Sequence, residues 1–360
     1  MKICVATDVH PAHDPRIIKE IKSLKKIGEV FYISPPGNPG IEVKHIQIPL
    51  FKSRKERIMK GPREVFRIVQ KIKPNIFHFH DPELIPIGIK IAKLGIKVVY
   101  DIHENYPAVF LTKNYVPKIL RPILAWSVKT FEDYGAKYFT GVVAVTENVC
   151  ERFSRKIPCA LVPNYPDIKF LGKISRKRAS DGKTRFVYVG SIDEDRAIIE
   201  MLTAYKMISE KYENVEFLLV GTIFSRKLQK FIEEFHAKGF TYLPPVAYEK
   251  SLQIVADSDV GMLVIHRNES KEISSPVKMF EYMYYGLPII ASDFSHWHYI
   301  LDRGPCAVYV EPDDPISIAN AMRKLINHNE REKLSCQSIA KEFTWEKCES
   351  NLLNLYKNLK

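Results

Sequence analysis

Lys278 and Glu281 stand one helical turn apart in SSPVKMFEYMYYGLPIIAS, Ser274 to Ser292, among Met279, Phe280, Tyr282 and Met283. At that spacing the two charges share one face of a helix whose other positions are apolar or aromatic. A bare i,i+3 ion pair contributes only about 0.2–0.5 kcal/mol on a surface and becomes costly when desolvated. A ligand would employ both groups: the ammonium can meet a phosphate, and the carboxylate can accept hydrogen bonds from the two hydroxyls of a ribose. Ser274 and Ser275 are placed to cap this helix, Pro276 suits its first turn and Gly286 its end. Its N-terminus would then offer unpaired N–H groups to an anion. The ion pair stays open as the alternative.

Other polar residues fall where strands should end. Gly190 closes FVYVG and Gly221 closes FLLVG, either as tight turns or as places where a ligand nears the backbone. Arg196 follows in SIDEDRAIIEML at an expected helix start, where a cation is unfavourable unless it meets an anionic ligand or pairs with Asp193 or Asp195. His103 and Glu104 end VVYDIHE, and DVHPAHDPRIIKE supplies His10, Asp14 and Arg16 after the first strand. His103 reads either as a polar group of the site or as a satisfied structural histidine, and Arg16 either as a phosphate contact or as a helix-start ion pair. There is neither a Walker A lysine motif nor a GxGxxG turn, which argues against a P-loop kinase and an ordinary NAD dehydrogenase. The six cysteines are scattered without a CxxC pair and no carboxylate cluster for a divalent ion is visible, so reduced thiols and no metal are expected.

The elements that must position these residues alternate short Val/Ile/Phe/Tyr runs with helix-period segments, the pattern of parallel sheets covered by helices. Six runs occur before residue 150: KICVATD, EVFYISP, KHIQIPL, NIFHFHD, KVVYDIHE and GVVAVTE. Helical patterns lie between them, including Ile17 to Ile27 and Glu64 to Ile72. After the polar stretch GKISRKRASDGKT the alternation restarts with RFVYVGS, VEFLLVGT, FTYLPPV, VGMLVI, LPIIASD and CAVYVEP. This organisation gives an α/β fold with a first domain over 1–171, a linker over 172–184, a second domain over 185–342 and a terminal helix over 343–360. In doubly wound sheets ligands bind beyond the carboxyl ends of the strands, which places the expected site in the cleft between two such lobes.

With 46% hydrophobic and 27% charged residues over 360 positions, the chain is globular in composition, and no apolar run approaches the roughly 20 residues of a membrane span. Met1 leads into KICVATD, a strand pattern, and a cytoplasmic protein is expected. The net charge of +12 is uneven: residues 1–178 carry 32 Lys and Arg against 16 Asp and Glu, and residues 179–360 carry 22 against 26. The first half therefore suits an anionic partner. No recognised basic and aromatic module points to nucleic acid. FKSRKERIMKGPREVFRIVQKIK and VPKILRPILAWSVKTF mix basic and apolar residues at helical spacing, as a helix on an anionic membrane would, and equally as helices covering the domain's own sheet would.

Taken together, KMFEYMYYGLPIIAS, FVYVGSIDEDR, VEFLLVG, YLPPVAYEKSLQIVADSDVGMLVI, YVEPDDPISIANAMRKLI, FTWEKCESNLLNLYKNL, HFHDPELIPIG and VVYDIHENYP resemble segments of the GT-B nucleotide-sugar glycosyltransferases, specifically the retaining family 4. The resemblance implies two Rossmann-like domains and transfer of a sugar from a nucleoside-diphosphate donor to a hydroxyl of a glycan or lipid-linked acceptor, without metal or other cofactor. It implies that Arg196, Lys278, Ser274, Ser275 and Gly190 hold the diphosphate and that Glu281 binds the ribose. Gly221, Pro245 and Val246 would lie near the base and His103 at the reaction centre. Independently of the resemblance, Asp14, Arg16 and Glu104 are expected in the cleft or towards the acceptor. Two departures stand out: Ile273 occupies the position of a second family glutamate, and the usual glycine pair after the first strand is absent. A nucleotide-sugar epimerase of the same fold and a non-catalytic partner subunit are the rival readings.

Overall fold

Parallel strands buried on both faces are near-continuous apolar runs, and the computed structural model turns those runs into two sheets. It describes every residue except 113–115, 178–180, 335 and 360. The chain forms two compact units, one from Met1–Asn164 together with Trp345–Lys360, the other from Tyr165–Thr344.

In the first unit β1 (Lys2–Ala6), β2 (Glu29–Ser34), β3 (Lys44–Gln47), β4 (Ile76–Phe79), β5 (Lys97–Ile102), β6 (Gly141–Ala144) and β7 (Cys159–Leu161) form one sheet in the order β3-β2-β1-β4-β5-β6-β7. Every described pairing is parallel. The three-residue strand β7 was not among the expected ones. The chain order reverses between β1 and β4, so groups just past these two strands face the crevice where such folds place ligands. Helix Trp345–Asn358 belongs to this unit, fixed by Trp345 Nε1 donating to Ser23 Oγ at 3.1 Å and by Tyr356 OH at 2.6 Å from His78 Nδ1.

In the second unit β8 (Thr184–Val189), β9 (Val215–Val220), β10 (Phe240–Leu243), β11 (Val260–Leu263), β12 (Ile289–Ser292) and β13 (Ala307–Val310) follow the order β10-β9-β8-β11-β12-β13, again parallel. The reversal lies between β8 and β11, beside Gly190. Its core covers both sheet faces, with Trp297, Tyr282 and Tyr188 among its largest buried side chains.

The boundary between units differs from the expected one. Helix Ile168–Leu171 joins the second unit because Leu171 is buried in that unit's core and its carbonyl accepts from Tyr285 OH at 3.2 Å. Arg176, inside the expected linker, donates to the carbonyls of Ser258 and Tyr285, which ties that stretch to the second unit as well. Residues 178–180 of the linker lie outside the described residues.

Candidate functional site

β8 delivers Gly190 at φ +143°, and a Cβ there would come within 2.5 Å of Lys278 Nζ. The missing side chain is what lets the ammonium lie across the strand end, 4.0 Å over the ring of Tyr188. Gly221 serves a different need: at φ +151° its Cβ would fall 1.7 Å from the Gly190 carbonyl oxygen, so the two strand ends meet only if the residue is glycine. Burial, and next the nearby Arg196 charge, push Lys278 well below the usual lysine range. Among the described residues no carboxylate oxygen lies within salt-bridge distance of its Nζ, so the i,i+3 ion pair with Glu281 does not form.

Glu281 is 6% exposed and accepts from Tyr248 OH at 2.6 Å. Burial and this carboxylate both raise the Tyr248 phenol, which keeps it a donor, and the ring stacks on Phe170 at 5.6 Å. Helix Val277–Tyr284 presents both groups, but its start differs from the expectation. Pro276 occupies the N-cap, and neither serine caps: Ser274 Oγ donates to the Lys271 carbonyl at 3.0 Å, while Ser275 Oγ lies 2.9 Å from His296 Nε2. Proline fixes the backbone that a capping serine would otherwise adopt, leaving the serines to bond elsewhere. Arg196 closes the 3₁₀ turn Glu194–Arg196, not the start of helix Ile198–Ser209. Its Nε is buried without a hydrogen bond and lies 3.6 Å from Asp193 Oδ2. Exposed Pro245 and half-buried Val246 sit in the loop between β10 and helix Tyr248–Ala256. Ile273 is half-buried just before Ser274.

In the first unit the strand ends at the sheet reversal carry more chemistry than the sequence suggested. His103 Nε2 lies 2.9 Å from His80 Nδ1 and 3.7 Å from Asp101 Oδ1, and its ring packs 4.7 Å from that of His10. Burial holds His103 down at about 3, so it is a neutral imidazole near pH 7. His10 touches Asp14 at 3.3 Å and Asp81 at 3.4 Å; burial opposes its charge, but the two carboxylates outweigh it and raise its pKa. Asp14 caps helix Pro15–Leu24 through the amides of Arg16 and Ile17, and Glu104 is exposed.

Of the two readings of Arg16, the structure supports the ion pair over the phosphate contact. It is 3% exposed, donates to Asp101 at 3.0 and 3.2 Å and to the Val162 carbonyl at 2.8 Å, and lies 3.1 Å from Glu20. Its partners are remote in sequence, which hid this pairing. The same buried region holds Glu20, His78, His80 and Asp101, each offering a ligand atom within 4.8 Å of the others, a set able to hold a metal ion that linear spacing did not reveal. Arg16 already supplies positive charge against both carboxylates. His80, Asp81 and Asp8 were the missed residues; the available signal was their place directly after β4 and β1.

Two family profiles match, one to each half: Glycosyltransferase Family 4 over residues 24–169 and Glycosyl transferases group 1 over residues 183–328. The chain is 25% identical over 176 residues to the capsular polysaccharide biosynthesis glycosyltransferase CapM of Staphylococcus aureus, an alignment spanning 45% of this chain and 44% of that relative. The chain thus matches under half the length of that curated relative. Among solved structures, sucrose-phosphate synthase from Thermosynechococcus elongatus is similar at TM-score 0.76 and 16% identity, covering 100% of this chain and 99% of that one. Anabaena HepE in complex with UDP and glucose is similar at TM-score 0.70 and 13% identity, covering 99% and 100%. With a profile on each half and the fold matched from end to end, the chain belongs to the GT-B glycosyltransferases related to family 4 and group 1.

Proposed function

We propose that the protein moves a sugar from a nucleoside-diphosphate sugar to a hydroxyl of a glycan or lipid-linked acceptor, with retention at the anomeric carbon. The observation that carries this reading is the cationic pair Lys278 and Arg196 beside buried Glu281. Lys278 is depressed by burial and by Arg196, and among the described residues no carboxylate lies within salt-bridge distance of its Nζ, so a diphosphate would meet two cations there. Glu281, already accepting from Tyr248, is the group for the ribose hydroxyls. The exposed loop with Pro245 and Val246 suits the base.

In the reaction the acceptor oxygen bonds to the anomeric carbon as the bond from that carbon to the diphosphate oxygen breaks. The leaving phosphate takes the acceptor proton. Negative charge grows on the diphosphate in an oxocarbenium-like transition state, where Lys278 and Arg196 stabilise it. Neutral His103 contacts the donor sugar, and Asp14 and Glu104 belong to the acceptor side. Cell-surface polysaccharide or glycoconjugate synthesis is the proposed setting, supported by the name of the S. aureus relative. A cytoplasmic location with peripheral contact on an anionic membrane is supported by the basic first half, 32 Lys and Arg against 16 Asp and Glu over residues 1–178.

The test is a panel of nucleotide sugars with lipid-linked and oligosaccharide acceptors, assayed with and without chelator. Acceptor-dependent transfer that survives chelation is expected. Conversion of a donor sugar without any acceptor would favour epimerisation instead, and activity restored only by added metal would overturn the scheme.

A further inference from the structure

Helix Arg121–Ala136 in the first unit is built inside out. The residues it buries are Ala125, Glu132, Gly135 and Ala136, while large apolar side chains stay outside. Ile119, in the preceding 3₁₀ turn Lys118–Leu120, is 82% exposed, Ile123 58% and Trp126 67%. Their spacing of four and then three residues makes one stripe on one face. Leu120, Leu124 and Phe131 widen it. The small buried residues explain why the helix can seat so closely: a Cβ at Gly135 would come 2.8 Å from Ile85 Cγ2.

The polar groups on this helix are prepared for an apolar environment. Ser127 and Thr130 turn their hydroxyls back onto the carbonyls of Ile123 and Trp126, each at 2.8 Å. Arg121 donates to the carbonyls of Val116 and Leu111. Glu132 is paired with Arg152, and Asp133 with Lys129, Arg152 and Lys156. Helix Arg54–Ile72, longer than the expected Glu64 to Ile72 and capped by Ser53, carries seven Lys and Arg against two Glu. Both helices pack against helix Ile85–Lys93, so a basic surface flanks the apolar one.

We propose that the face formed by residues 118–136 docks on an anionic lipid surface. Ile119, Ile123 and Trp126 enter the acyl boundary, and helix Arg54–Ile72 lies at the headgroups. A second copy is the less suitable occupant, because self-association there would bring two basic helices together. The inference rests on the reading of a lipid-linked acceptor and names the surface that reaches it.

Trp126 offers a direct readout, since Trp297 is fully buried and Trp345 is 5% exposed. The full chain is titrated with phosphatidylglycerol/phosphatidylcholine vesicles and with phosphatidylcholine vesicles alone, following tryptophan emission and the sedimented fraction. A blue shift with the anionic vesicles is expected, absent in Trp126→Phe. An Ile119→Ser, Ile123→Ser double variant should lose at least tenfold in partitioning while its nucleoside-diphosphate binding is unchanged. Absence of a shift with intact nucleotide binding overturns the docking surface alone. Lipid docking without any nucleotide binding overturns the transfer reading alone. A dimer in sedimentation equilibrium that the double variant dissolves would assign the face to a second copy and overturn the proposal.

Discussion

Replacing Lys278 by methionine keeps the length of the stem and deletes only the ammonium, and it should separate activity from stability. In the free protein the lysine gains a cation–π contact with Tyr188 at 4.0 Å, worth about 0.5–2 kcal/mol, and pays for burial beside Arg196. These terms oppose each other, so the variant should change stability by less than about 1 kcal/mol, a melting shift within roughly 2–4 °C for a unit of this size. In the transition state the ammonium faces the charge developing on the diphosphate, and losing such a contact costs about 2.7–4 kcal/mol. The expected outcome is a fall of about a hundredfold to a thousandfold in kcat/KM at nearly constant melting temperature. Kinetics with a matched donor, alongside calorimetric melting of the same preparation, make the comparison. A variant that melts far earlier yet keeps full kcat/KM in its folded fraction would show that the lysine is structural and refute the reasoning.

A diphosphate favours the charged form of Lys278, which burial and Arg196 disfavour, so any proton linked to donor binding at this lysine should be taken up and not released; titration calorimetry in buffers of different ionisation enthalpy reads the sign. Asp8, pushed up to about 8 by burial and then by Asp81, holds a proton in the fold that the unfolded chain has released above 3.8, so its contribution to stability is lost as pH rises through that window. Asp8→Asn should therefore gain stability over the parent at pH 8 relative to pH 4, seen in denaturant midpoints. His103 has the opposite sign: between its ordinary 6.5 and about 3 the unfolded chain binds a proton that the folded one does not, and stability falls as pH drops. His103→Gln should flatten that acid slope in melting curves and lower kcat by about tenfold or more.

The sheets were legible because a parallel strand such as β6, buried throughout, must be apolar on both faces. β7 escaped because CAL is only three residues long and has no alternation to detect. The Lys278 and Glu281 helix was visible for the reason that makes it useful, two charges in a run with no other charged side chain. Its cap was misread because Pro276 took the capping position and Ser275 turned to His296, a partner 21 residues away. Arg16 was placed at the site for the same reason: Asp101, 85 residues on, competes for its guanidinium, and only the adjacency of helix and sheet reveals that. The histidine and carboxylate groups gathered at the carboxyl ends of β4 and β5 and on helix Pro15–Leu24 are likewise a product of strand order, which no local spacing encodes.

Equilibrium binding of a panel of nucleoside diphosphates to the parent protein, Lys278→Met and Glu281→Ala tests the central assignment most directly. At least one nucleotide should bind the parent, each variant should weaken it by tenfold or more, and inorganic pyrophosphate should lose affinity with Lys278→Met but not with Glu281→Ala. Equal binding of that nucleotide by all three proteins would contradict the site.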